Sequence, residues 1–266
     1  MFEFKRGIEN ADFIKELNNN IFFQKLVKDE DLFIAIRNEY LNVYYFGQSI
    51  CKIEFLKTTK KLKWTTHIEY LEPGTKKGYA ATDKYFDKIE ELKINAGNHK
   101  GKEKEQVKNY ILKDNESCIL DVEVTFGKEK GFGKMSIDYL AVEKNDDGKI
   151  MLVFYEAKHF ENSEIRSNKD PKVFEQMNKY ETVLSNEIHQ VEIINSYKKI
   201  IENIDQLDLS NKNNLLKLVG DKTAYLVIDS KPRLIIFQTD LSKKNTVHIE
   251  KLKERFTDNR LILREK

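Results

Sequence analysis

Little in this chain points to a thiolate metal site, a membrane span or a nucleotide-driven motor. Only two of its 266 residues are cysteine, Cys51 and Cys118, and neither stands at a metal-type spacing from histidine or from the other. Both fall in strand-like segments and read as buried free thiols. The five histidines, His67, His99, His159, His189 and His248, are scattered with no HxxxH or HExxH spacing, so none is assigned to a metal. No Gly-rich loop of the Walker type occurs, which removes an ATP-driven motor from consideration. No apolar run approaches the roughly 20 residues that cross a bilayer, and Met1-Phe2-Glu3-Phe4-Lys5-Arg6 contains no apolar h-region. A cytoplasmic protein with no membrane partner is expected. Net charge is nearly absent as well, with 46 basic against 44 acidic residues and a formal +2. A polyanionic partner must therefore meet a local patch rather than a global field.

What is present suffices for a real core. Hydrophobic residues make up 40% and aromatic residues 11% of the chain, which argues against disorder. A chain this long forms one large domain or two small ones and buries about three-quarters of its unfolded surface. Residues 1–28 read as a polar lead-in with one amphipathic helix, Phe13, Ile14, Leu17, Phe22, Phe23 and Leu26 recurring at helical spacing. Four strands follow, Leu32 to Arg37, Tyr40 to Phe46, Ile50 to Lys57 and Leu62 to Tyr70, as a small antiparallel meander. Its aromatics Tyr40, Tyr44, Tyr45, Phe46 and Trp64 suit stacking on nucleobases, with Lys57, Lys60, Lys61 and Lys63 on phosphates. The simpler reading makes the aromatics ordinary half-buried strand residues and the lysines protection for a turn, with a module that helps hold substrate or makes a dimer contact as the alternative. Pro73-Gly74, with the basic residues after it, marks a domain junction near residue 75, giving domains 1–75 and 76–266. Helix-type segments then cover Thr82 to Ala96 and Lys102 to Lys113.

The stretch from Cys118 to Tyr180 carries the chemistry. Three strand-like segments, Cys118 to Phe126, Lys134 to Glu143 and Ile150 to His159, form a meander, and a helix begins at about Pro171. The turn Asn145-Asp146-Asp147-Gly148-Lys149 centres on Asp147. An antiparallel hairpin centred there pairs Val142 with Leu152, Leu140 with Phe154, Asp138 with Glu156 and Ser136 with Lys158, all on one face. That face starts apolar and ends in two carboxylates and an ammonium. Directly opposed carboxylates repel, and burying one without compensation is costly. A divalent cation removes the conflict, and Mg²⁺ takes one or two protein carboxylates plus waters and phosphate oxygens. The Ala157 carbonyl adds an oxygen ligand. Lys158 stands where it can position or deprotonate an attacking water and stabilise charge on phosphorus.

Ile137-Asp138 followed by Glu156-Ala157-Lys158 resembles the PD-(D/E)xK nuclease superfamily, with Ile137 in place of the proline. Gln176 and Tyr180, at i and i+4 on the next helix, resemble the Gln-xxx-Tyr signature of its RecB-like branch. The resemblance covers about residues 100 to 230. It implies a mixed α+β or α/β fold with a restriction-endonuclease-like core of helix, three-stranded meander, helix and strand. It implies that Asp138, Glu156 and the Ala157 carbonyl bind Mg²⁺, with Mn²⁺ able to substitute. Lys158 would assist the water, and Gln176 and Tyr180 would support the site. In such proteins the preceding helix often lends a further carboxylate, here Glu103 by helical phase, or Glu105 if the helix end shifts. Strict alternation in the first strand points Glu123 away from the metal.

Arg166, Lys169 and Lys172 follow the meander and suit scissile-strand phosphates, or simply a solvated loop. A long helical stretch from Pro171 to about Ile204, broken near Ser185-Asn186, has Val173, Met177, Tyr180 and Leu184 as its core stripe. Ala224 to Asp229 would be the strand completing the core, Leu234 to Gln238 another strand, and Val247 to Leu263 a short helix and an edge strand. The expected function is Mg²⁺-dependent hydrolysis of nucleic acid, DNA before RNA, in a bacterial defence or mobile-element setting. The rivals are a non-catalytic binding or assembly module on the same fold, and an RNA-directed or partner-activated nuclease.

Overall fold

The structure is a computed structural model describing residues 2–74, 78–81, 88–99, 101–109, 118–126, 135–167, 170–209, 212–219, 225–239, 246–257 and 259–265. It is a mixed α+β chain, and among the described residues no helix is long and apolar enough to cross a membrane. Two compact units divide it. One comprises Lys5–Leu120 with Asn195–Gly220, the other Met1–Phe4 with Asp121–Ile194 and Asp221–Lys266. The junction expected near residue 75 falls outside the described residues.

The first unit opens with α1 (Ala11–Asn19) and α2 (Ile21–Val27) where one helix was expected. Asn20 explains the break. Its extended backbone ends α1, and its side-chain oxygen accepts from the Phe22 and Phe23 N–H groups, capping α2 as Asn10 caps α1. The meander is there, with β1 (Phe33–Ile36), β2 (Tyr40–Tyr45), β3 (Gln48–Leu56) and β4 (Lys61–His67) antiparallel in sequence order. Its last strand stops early because the His67 side chain accepts from Glu69 N–H and starts the short α3 (Ile68–Leu71). A fifth strand, β5 (Tyr79–Ala81), pairs with β4 and closes the order. Leu41, Val43, Cys51, Ile53 and Trp64 are buried on one face. The helices α4 (Ile89–Gly97) and α5 (Lys102–Val107) correspond to the two expected helical segments.

The second unit holds the mixed sheet. The strands β6 (Ile119–Phe126), β7 (Met135–Lys144) and β8 (Ile150–His159) form the expected meander, and α6 (Lys172–Leu184) follows. The break at residue 185 comes from Asn186, whose side chain accepts from Ile188 and His189 N–H and so starts α7 (Glu187–Gln206). After α8 (Lys212–Val219) come β9 (Val227–Ile228), β10 (Arg233–Thr239), α9 (Thr246–Arg255) and β11 (Leu261–Glu265). The sheet order is β11-β10-β8-β7-β6, with β9 on the same edge of β8 beside Met151 and Leu152. The strand running beside the Glu156 end of β8 is thus β10, parallel to it from Arg233↔Tyr155 to Phe237↔His159. The earlier segment, expected to complete the core, supplies only two paired residues before Ser230-Lys231-Pro232 turns the chain.

The hairpin register lies where the turn places it. The pairs run from Lys144↔Ile150 through Val142↔Leu152 and Leu140↔Phe154 to Tyr139↔Tyr155, symmetric about Asp147. Val173, Met177, Tyr180, Val183 and Leu184 of α6 are buried, with Phe126 packed against both Phe154 and Tyr180. That apolar contact seats α6 over the carboxylate end of the hairpin.

In the first unit the α7 side chain of Asn203 is fully buried and clasps both backbone groups of one residue. Its oxygen accepts from Ile8 N–H at 2.7 Å and its amide donates to the Ile8 carbonyl at 3.0 Å. Asn203→Ala strands both backbone groups, and it is predicted to lower unfolding free energy by about 2–4 kcal/mol, read from the urea midpoint.

Candidate active site

The β7–β8 ladder ends at Tyr139↔Tyr155, and the next partner is a side chain. Ala157 N–H donates to Asp138 Oδ2 at 2.7 Å. In an extended strand the N–H and C=O of one residue leave by the same edge, as the two-way bonding of an antiparallel pair requires. The Ala157 carbonyl therefore leaves β8 on the Asp138 side. This places a carboxylate and a backbone carbonyl at one opening in the ladder.

Glu156 occupies the adjacent position and is almost fully buried. Its Oε1 accepts from Gln176 Nε2 at 2.7 Å and faces Lys158 Nζ at 2.8 Å. The second Gln176 proton goes to the Tyr180 oxygen at 2.8 Å. The Tyr180 hydroxyl donates toward the Ser136 carbonyl, with Glu156 Oε2 at 3.2 Å. Lys158 is buried too and completes the set by reaching Glu164 Oε2 at 3.0 Å. The i, i+4 spacing on α6 puts Gln176 and Tyr180 on the face that meets β7 and β8.

Protonation follows from this packing. Asp138 keeps a partly exposed edge, yet the protein around its carboxyl deprives it of water, and this burial first, then the Glu156 charge, raises its pKa well above the usual carboxylate range. The Ala157 N–H and Lys158 oppose the rise, while Glu123 adds to it. Burial also raises Glu156, against the opposing pull of Lys158, Tyr180 and Gln176. For Lys158, burial favours the neutral amine, but the Glu156 charge and the hydrogen bonds to Glu156 and Glu164 outweigh it, so the pKa rises. Lys158 is an ammonium here, and the Tyr180 phenol, raised by burial and by Glu156, stays neutral.

Of the residues singled out in the sequence, Asp138, Glu156, Ala157, Lys158, Gln176 and Tyr180 come together. Glu103 and Glu105 lie on α5 in the other unit. Arg166 is exposed in the turn after β8, its guanidinium 5.5 Å from the Phe160 ring centre. Lys172 is exposed at the start of α6, and Lys169 lies outside the described residues. His159 takes no part. Its Nδ1 accepts from Glu161 N–H, leaving Nε2 to donate to Gln238 Oε1 at 3.0 Å.

Two carboxylates escape the sequence reading. Glu164 sits in the loop read for its cations. Glu123 has φ 51, a left-handed backbone that upsets strict alternation along β6, and its charge is felt at Asp138. Nothing in the residue pattern signals that φ.

The donors fit a small hard cation. When ionised, Asp138 carries a charge that the Ala157 N–H and Lys158 offset only in part, and the Ala157 carbonyl shares its edge. Among the described residues no group of three or more His, Cys, Asp or Glu side chains is placed to hold a metal ion; Mg²⁺ takes as few as one or two protein carboxylates, since it keeps waters and substrate oxygens. No family model, curated protein or solved structure matches the chain.

A stability test follows from the Asp138 shift. A carboxyl raised in the folded state costs stability wherever it is charged, and the cost fades as pH falls through its folded pKa. Asp138→Asn is predicted to melt a few degrees higher than wild type in EDTA at pH 7. That advantage should shrink as pH approaches the ordinary aspartate value of about 3.9, as followed by circular dichroism.

Proposed function

We infer that this chain is a metal-dependent nuclease that hydrolyses phosphodiester bonds in nucleic acid, DNA before RNA, on a restriction-endonuclease-like core. The observation that carries the reading is the Asp138 carboxylate inserted beside Ala157 at the end of the β7–β8 ladder, next to a Glu156–Lys158 pair held by Gln176 and Tyr180. An apolar or singly charged hairpin end would need none of these supports.

Asp138, Glu156 and the Ala157 carbonyl are the groups that would hold Mg²⁺ or Mn²⁺. Such an ion, when bound, supplies Lewis acidity and lowers the pKa of coordinated water. The chain's own residues do the rest. The Lys158 ammonium lacks a free lone pair, so its contribution is to orient a water and to face the charge that develops on the phosphoryl oxygens. Of the two roles expected of it, orientation is the one its protonation favours. Glu164 keeps the ammonium in place. Gln176 fixes the Glu156 rotamer, and Tyr180 ties α6 to the Ser136 backbone, so the carboxylate cannot swing away.

The ion pairs of Lys158 with Glu156 and Glu164 favour the rival reading, a fold kept for binding or assembly whose charges satisfy one another. Cleavage assays separate the two. Wild type is predicted to cut supercoiled plasmid or single-stranded DNA with Mg²⁺ or Mn²⁺ and not with EDTA. Asp138→Ala and Lys158→Ala should each lose about 10²–10³-fold in rate. An inactive wild type, or variants as fast as wild type, would move the assignment to the binding module.

The pH profile gives a second check. A protonated Asp138 cannot serve as a ligand, and in the metal-free site its pKa is raised, so the rate at Mg²⁺ well below saturation should fall on the acid side at a pH above the ordinary aspartate range, the limb moving to lower pH as Mg²⁺ is raised. A rate insensitive to pH down to about 4 would contradict this assignment.

A further inference from the structure

We propose that the outward face of β3, β4 and β5, with Tyr40 of β2, binds single-stranded nucleic acid. The proposal takes its choice of ligand from the nuclease reading and names the surface that holds the polynucleotide.

The registers put the residues of this face in three rows. Tyr40 lies opposite Glu54, and Glu54 opposite Lys63. Asn42, Lys52, Thr65 and Ala81 form the next row, and His67 pairs with Tyr79 in the third. The opposite face is the apolar one, so these side chains point away from the core. Tyr79 is 80% exposed on the last strand of the sheet order. It gains little from packing there, and an exposed aromatic on an edge strand invites association.

The rings nonetheless form a series. Tyr79 meets His67 edge-on with centroids 5.5 Å apart, and the buried Tyr70 backs His67 at 5.5 Å and His99 at 5.8 Å, a support for those rings rather than a station open to a base. At the far corner Tyr40 has the Lys52 ammonium 4.3 Å from its ring centre. From Tyr40 to Tyr79 the face spans about 20 Å, from three strand spacings and two two-residue steps. That is room for several unpaired nucleotides.

Charge complements the rings. Among the described residues of the rows, Lys52, Lys61 and Lys63 share the face with one carboxylate, Glu54, which already faces Lys52 at 2.7 Å and Lys63 at 3.8 Å. Beyond the rows, Glu69 lies against His67 and His99. A basic face with separated aromatic stations is how proteins hold single strands, since every base offers a π-face and every linkage a phosphate. Duplex DNA has its bases already stacked on one another and gains nothing from Tyr79. The structure also corrects the aromatic set offered by the sequence. Trp64 and Tyr44 are buried, and Tyr45 and Phe46 are engaged by Lys108 at 4.3 and 4.0 Å. Of that set Tyr40 remains on the face, joined by Tyr79 and His67.

The test is fluorescence anisotropy of a labelled 12-nucleotide dT strand with the full chain in EDTA, where no hydrolysis occurs. Tyr79→Ala should weaken binding about 5- to 150-fold, the range for loss of one stacking station, and Tyr79→Phe should stay within about twofold. Replacing both Lys52 and Lys63 by alanine should flatten the salt dependence by about 1.4 logarithmic units of slope. Strand binding in EDTA reports this face and plasmid cleavage with Mg²⁺ reports the catalytic site, so failure of the one and failure of the other read out separately. Undetectable binding, unchanged binding by Tyr79→Ala, or equal losses on a duplex 12-mer would overturn the proposal. So would self-association abolished by Tyr79→Ala without strand binding, which would give the face to a second copy of the chain.

Discussion

Two carboxylates held near each other, out of water and beside one ammonium, are the constraint around which the mixed sheet is arranged. Asp138 and Glu156 belong to adjacent antiparallel strands; burial raises the cost of ionising both, and the Glu156 charge adds to it at Asp138. The surroundings distribute that cost. Ala157 N–H serves Asp138, while Gln176, Tyr180 and Lys158 serve Glu156. None of these is a generic surface contact, because removing any one leaves a buried polar group short of a partner.

The apolar half of the hairpin makes the polar half possible. Leu140, Val142, Leu152 and Phe154 are buried on the same face, and α6 packs Val173, Met177 and Tyr180 inward. That packing sets the helix phase, and the phase delivers Gln176 and Tyr180 to Glu156. The site is therefore built on two strands and a helix rather than on loops, which suits chemistry that needs fixed donors. Its stability cost and its proposed activity have one origin, the desolvated charge on Asp138.

Much of this was readable in advance because it follows from local rules. A turn centred on Asp147 specifies register, period two specifies the shared face, and i, i+4 spacing specifies the helical pair. The rest depended on features with no local signature. The left-handed backbone at Glu123 breaks alternation, and Glu164 lay in a loop noted only for its cations. Likewise Ala224 to Asp229 had the composition of a core strand, yet β10 runs beside the site because pairing along β8 is a tertiary choice. Trp64 and Tyr44 were legible as aromatics but not as buried ones, whereas Tyr79 followed a Pro-Gly break and had no strand pattern around it.

The most direct measurement of the central claim is isothermal calorimetry of Mn²⁺ into the metal-free chain at neutral pH, beside Asp138→Ala. The account predicts a Mn²⁺ site in wild type that is missing in the variant, with protons released on binding because the Asp138 pKa is raised. Absence of binding in wild type, or binding unchanged by Asp138→Ala, would contradict it.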